Sequence, residues 1–223
     1  REALAKIQFQ GLPYEETIPG SMLHMPFSEY YQDSYPTPNN SISEAQKILE
    51  TAGYTKNGEY YEKDGQKASC AVVTFGDDPT TKGKAQTFSQ QMKDVGIEIR
   101  IDQRSDSEFA GVLGNWDYDI SFSGYGVTSP DATEGTKQFY HSENNDGNGS
   151  PEIDALIDAM TVMEDDKARN LACNEIEKKH MAEFAFLGTI TNGPDFMMVK
   201  KTLANYGPSL YKSMDWTAVG WMN

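Results

Sequence analysis

The feature that most constrains the fold lies between residues 68 and 101. An extended apolar run is followed by an amphipathic helical stretch and a second extended run. Residues 68–75 (ASCAVVTF) read as a strand. Residues 80–95 put Ala85, Phe88, Met92 and Val95 on one helical face, and Gly96 stops that helix. Residues 97–101 form the next strand, a helix over 106–114 follows, and a third strand is expected at 118–123. Strands separated by helices need crossover connections, which implies an α/β fold with parallel pairs and helical covers.

The flanking sequence is readable in the same terms. Ser43 is the expected N-cap of a helix carrying Ala45, Ile48, Leu49 and Ala52 on one face, ended by Gly53. Gly58 and Asp64-Gly65 are turn signals around a hairpin arm at 59–63. Residues 1–10 read as the tail of a helix with Ala3, Leu4, Ile7 and Phe9 on one side, stopped by Gly11. Such a helix has no cap, so the chain is read as a piece whose upstream half is missing. Residues 11–40 hold Pro13, Pro19, Pro26, Pro36 and Pro38 among Tyr14, Met22, His24, Met25, Phe27, Tyr30 and Tyr31, an irregular but packed loop. Residues 124–148 read as loop-rich and polar at their end, with Pro130-Asp131 also readable as a turn or helix cap. Pro151 opens a helix to about residue 163, and Asp165 or Asp166 caps a longer one to about residue 182. Closing strands are expected at 184–190 and 196–199, before an extended tail.

Composition excludes several classes. Acidic residues number 34 against 19 basic, for a net charge of −15, so the basic patch that nucleic-acid binding needs is missing. No apolar run approaches the roughly 20 residues of a membrane helix. Cys70 and Cys173 read as two buried thiols, with pairing left open. They lack the CxxC spacing of a metal site.

Four segments, in order, resemble the extracellular solute-binding proteins of family 5, the oligopeptide, dipeptide and nickel type. They are 45–66 (AQKILETAGY…GEYYEKDGQ), the strand–helix–strand unit at 70–102, 118–130 (YDISFSGYGVTSP) and 147–176 (GNGSPEIDALIDAM…DDKARNLACNEI). The resemblance implies a periplasmic-binding-protein-like second lobe with a mixed sheet and helices on both faces. Residues 1–202 would be that second lobe, and 203–223 a tail returning toward the missing first lobe of the same chain. It also implies a substrate-binding component of an ABC importer, most readily for peptides, that captures its solute between two lobes. Further implications are ABC permease partners, a monomer, and a place outside the cytoplasmic membrane, lipid-anchored or periplasmic. The isolated piece would then bind ligand weakly or not at all. An α/β enzyme and a non-transport surface sensor or chaperone-like module are the alternatives.

The ligand-facing candidates are Gly124, Tyr125, Gly126, Thr128 and Asp131, in the segment after the third strand. Peptide-binding members carry a Trp-x-Ala-Asp-like stretch there, whose aspartate pairs with the peptide's amino terminus. By that resemblance Tyr125 takes the aromatic position and Thr128 falls where the aspartate would be, with Asp131 as its substitute. Trp116 and Tyr118 read as half-buried structural residues. His24, His141 and His180 show no HxH or HExxH spacing; His24 with Met22 and Met25 is the one soft-metal candidate, and the other two read as surface residues. The stretch from Asp146 to Ser150 lacks the glycine and glutamate of a calcium loop and reads as a turn before a helix. Asp77-Asp78 and Asp165-Asp166 read as a turn and a helix cap. No GxSxG, GxGxxG or P-loop is present, so no catalytic residue, metal or cofactor is expected.

Overall fold

The computed structural model describes residues 4, 7, 19–35, 41–122, 124, 126, 129–144, 149–184, 198–207 and 214–222. The chain divides into two compact units, one made of Arg1–Glu16 and Pro36–Gly124, the other of Thr17–Tyr35 and Tyr125–Asn223.

In the first unit Leu4 and Ile7 are helical, and the rest of that expected helix lies outside the described residues. Helix α1 (Ile42–Thr51) is capped by Ser41 rather than Ser43. Ser41 has the extended backbone a cap requires, and its Oγ accepts the Glu44 N–H at 3.1 Å. Only part of the expected apolar face is covered: Ala45 and Leu49 are half-buried, whereas Ile48 is 69% exposed. Strands β1 (Thr55–Asn57), β2 (Tyr60–Lys63) and β3 (Gln66–Lys67) form an antiparallel meander, with turns at the two glycine signals.

Tyr61 fastens this meander to the rest of the unit. Its N–H donates to the Gly96 carbonyl at 2.8 Å, its carbonyl accepts the Ala68 N–H at 2.7 Å, and its hydroxyl donates to Glu50 at 2.9 Å. Strand β4 (Ser69–Phe75), helix α2 (Pro79–Val95), strand β5 (Glu98–Arg104), a 3-10 turn (Asp106–Glu108), helix α3 (Phe109–Gly114) and strand β6 (Ile120–Ser121) follow in the expected order. The sheet is parallel, in the order β5-β4-β6. Val72 pairs with both Ile101 and Ile120. Helix α2 is capped by Asp78 and buries Ala85, Phe88 and Val95; Met92 is only half-buried. Strand β6 is shorter than the expected 118–123, and just before it the Asp119 carboxylate accepts the Ala71 N–H at 2.7 Å.

The second unit is a helical cluster wrapped by residues 19–35. Helix α4 (Thr133–Tyr140) lies in the stretch that reads as loop-rich, where the sequence delimits no helix. Helices α5 (Pro151–Thr161) and α6 (Asp166–Phe184) follow the expectation, with Asp165 Oδ1 accepting the Ala168 N–H at 2.6 Å. Leu23, Ala132, Tyr140, Ile153, Ile157, Met160, Cys173 and Ile176 form its core. Each large aliphatic member contributes about 2 kcal/mol by leaving water. Phe184 ends α6 instead of opening a strand, and Met198 and Val199 lie in no strand; residues 185–190 and 196–197 of the two expected strands fall outside the described residues. Strands β7 (Leu203–Ala204) and β8 (Gly220–Trp221) pair antiparallel in the tail.

Candidate functional site

In an open parallel sheet, ligands sit beyond the carboxyl ends of the strands, where side chains need not complete the core. Strands β4, β5 and β6 end together at Phe75, Arg104 and Ser121. Their parallel pairing puts these ends on one edge. The chain leaves β6 through Phe122, which packs edge-on against Phe88 with ring centroids 6.1 Å apart. The Lys84 ammonium lies 5.8 Å above the Phe122 ring. Burial pushes the Lys84 pKa down, against an upward pull from Asp78.

Beyond Phe122 the candidate residues separate into three groups. Gly124 and Gly126 are exposed, and a Cβ at either would meet open space. Neither glycine is dictated by crowding. Tyr125 and Thr128 lie outside the described residues. Asp131 is committed within its own unit. Its Oδ1 accepts the Thr133 N–H at 2.9 Å and the Thr133 hydroxyl at 2.5 Å, which closes a turn into α4. Its Oδ2 accepts the Arg169 Nη2 at 2.6 Å and Nε at 3.3 Å.

Burial pushes the Asp131 pKa up, but the Thr133 and Arg169 hydrogen bonds outweigh it and hold the carboxyl below its usual range. A carboxyl depressed in the folded chain adds stability above its unfolded pKa of about 4 and loses it as pH falls through the lower folded value. Acid titration of the unfolding free energy should therefore steepen below about pH 4, and Asp131→Asn should flatten part of that slope. An unchanged slope in the variant would contradict the pairing.

The other candidates are placed as follows. Trp116 and Tyr118 stack with centroids 6.0 Å apart and are half-buried. Asp77 pairs with Lys82 at 2.8 Å. Asp146 and Asn148 lie outside the described residues, while Ser150 caps α5. Cys70 is a half-buried free thiol and Cys173 a buried one, the latter pushed by burial to a pKa of about 11 and so unreactive near neutrality.

Among the described residues no cluster of His, Cys, Asp and Glu could hold a metal ion. His24 is buried; burial lowers its pKa, opposed by the Asn170 carbonyl and Asp131, and its Nε2 has no hydrogen-bond partner among the described residues. His141 is held 3.8 Å from both Asp154 and Asp158. His180 corrects the surface expectation: it is fully buried, with ring centroids 4.5 Å from Tyr140 and 4.8 Å from Phe184.

The residue that sequence reasoning missed is Glu177. Its side chain is fully buried and accepts from Ser21 Oγ at 2.7 Å, Met22 N–H at 2.8 Å, Tyr140 hydroxyl at 3.1 Å and Tyr35 hydroxyl at 3.3 Å. Burial and the adjacent Glu177 carboxylate drive the Tyr140 phenol far above its usual pKa. Asn174, one turn away, donates to the Tyr30 carbonyl at 2.9 Å, and Lys178 to Gln32 at 2.9 Å. One polar face of α6 thus holds residues 19–35. The available signal was the helical spacing of Asn170, Asn174 and Glu177, which without the loop reads as a solvent face.

The family model described as bacterial extracellular solute-binding proteins, family 5 middle, matches residues 1–147. Over 227 aligned residues the chain is 28% identical to the oligopeptide-binding protein OppA of Mycobacterium tuberculosis, covering 100% of this chain and 38% of that protein. The chain therefore spans well under half the length of the curated relatives it matches. Among solved structures, a putative peptide binding protein AppA from Clostridium difficile aligns over 99% of this chain and 44% of its own, with a TM-score of 0.71 at 18% identity. The oligopeptide-binding protein AppA from Bacillus subtilis, solved with a nonapeptide, aligns over 82% and 39%, with a TM-score of 0.65 at 23% identity. At these identities the structural likeness establishes the periplasmic-binding-protein-like α/β fold.

Proposed function

This chain belongs to the bacterial extracellular solute-binding proteins of family 5, and we propose that it supplies the second lobe of a peptide receptor feeding an ABC importer. The observation that carries this reading is similarity along the whole chain to an oligopeptide-binding protein. Residues 1–202 form the second lobe, and the 203–223 tail returns toward a first lobe. The segment from Gly124 to Asp131 faces the solute: Gly124 and Gly126 offer backbone groups, Tyr125 an aromatic platform, Thr128 a hydroxyl, and Asp131 fixes the segment's far end. A mostly apolar cleft with a few polar anchors suits a peptide's repeating amides and varied side chains.

Capture needs no covalent chemistry. A solute that touches both lobes only when they are closed shifts an open–closed balance toward closure. The receptor works outside the cytoplasmic membrane, lipid-anchored or periplasmic, and presents its loaded form to the permease. Native mass spectrometry of the full two-lobed protein, purified without denaturation, tests the reading. Peptide masses should leave on activation. Consistent release of a metal chelate, with no peptide, would overturn the peptide assignment.

A further inference from the structure

Residues 124–131 (GYGVTSPD) contain a single carboxylate, that of Asp131. A carboxylate offers about four lone-pair positions. Here four donors reach it: the Thr133 N–H, the Thr133 hydroxyl, and the Nη2 and Nε of Arg169. The Arg169 guanidinium is itself fixed on several sides. Its Nε also donates to Thr133 Oγ1 at 3.1 Å, its Nη1 to the Met163 carbonyl at 2.8 Å, and its Nη2 to Asp166 at 2.5 Å. The Arg169 side chain is 15% exposed and the Asp131 side chain 35%, so their pairing is only partly shielded from solvent. Asp166 is 77% exposed, and the surplus negative charge of the three-residue cluster therefore rests in water, where it is screened.

A peptide's terminal ammonium, once taken from water, needs a charge partner. To serve as that partner, Asp131 would have to give up charge-assisted hydrogen bonds and receive the ammonium beside a fixed guanidinium, which repels it. From this geometry, and resting on the peptide-receptor reading above, we infer that Arg169 is a specificity-determining positioning residue. It holds Asp131 as a strut and withholds the loop's one carboxylate from the solute, so that peptides with free and with blocked amino termini are taken alike.

The test is calorimetric titration of the full two-lobed protein with a mixed-sequence nonapeptide pool and with the same pool N-acetylated. The two affinities should agree within about threefold in the wild type and in Asp131→Asn. Arg169→Gln exposes the Asp131 carboxylate and should favour the free-amine pool by about tenfold or more, a preference that the Arg169→Gln/Asp131→Asn double variant should erase. A merely structural Arg169 would weaken both pools equally and leave their ratio unchanged, which would overturn the inference. A wild-type preference of about 100-fold for free amines would overturn it as well, whether or not Asp131→Asn removes that preference, and would leave the peptide reading standing. Binding of neither pool would instead overturn the peptide reading itself. If Arg169→Gln fails to fold, Arg169→Lys takes its place: it keeps a charge but loses the planar fork on Asp131, and an unchanged pool ratio in that variant overturns the inference.

Discussion

Glu177→Ala is expected to lower the unfolding free energy of its unit by about 4 kcal/mol, because it strands several buried donors at once. The Ser21 and Tyr140 hydroxyls and the Met22 N–H all donate to this carboxylate within 3.1 Å, and the side chain has no exposure to water that could replace it. The truncation also leaves a void beside the core of Leu23, Tyr140 and Ile176. Glu177→Gln keeps the volume and one acceptor oxygen but turns an amide N–H₂ toward donors, so a loss of about 2 kcal/mol is expected. Urea unfolding followed by tryptophan fluorescence and circular dichroism checks both values. A loss under about 1 kcal/mol for the alanine variant would show that the hub does not hold the loop.

The second large effect is expected at Gly96. This residue ends α2 with φ +106° and carries the carbonyl that receives Tyr61. A Cβ there would lie 2.7 Å from Tyr61 Cδ2 and 3.1 Å from Cε2. The ring has little room to yield, since Tyr61 is 2% exposed and tied by its hydroxyl to Glu50. Left-handed strain and overpacking together should cost about 3 kcal/mol in Gly96→Ala. Gly58→Ala is the control: φ is also positive, +65°, but nothing lies within 4 Å of the added carbon, so about 1 kcal/mol is expected. Thermal and urea unfolding of the two variants gives the comparison, and equal losses would remove Tyr61 as the cause.

The parts of the fold legible in the sequence are those where local chemistry and tertiary context agree. The run from β4 through α2 to β5 is legible because Ala85, Phe88 and Val95 face the core at helical spacing and Gly96 then needs a conformation suited to glycine. Pro151 and Asp165 mark helix starts by mechanisms that act within one turn. Helix α4 was not legible. Its sequence, TEGTKQFY, mixes good helix formers with a glycine and two threonines over only eight residues, and its buried residues include Gly135 and Thr136, so packing in the second unit decides its state.

The candidate site divides the same way. The exit from β6 at Phe122 follows from strand order, and a glycine-rich stretch after a strand is visible in any reading. The engagement of Asp131 is not visible, because Arg169 lies 38 positions away and the pairing depends on how α4 meets α6. Glu177 and His180 were hidden for a related reason. Polar residues at helical spacing signal a wet face unless a distant segment, here 19–35 around Glu177, supplies the donors that make burial tolerable.

Capture by closure of two lobes is tested most directly by titrating the full-length protein with the mixed nonapeptide pool while following both heat and small-angle scattering. Saturable binding near ~1 µM or tighter, with a smaller radius of gyration in the loaded protein, is the predicted result. Absence of saturable heat together with an unchanged scattering profile would contradict it.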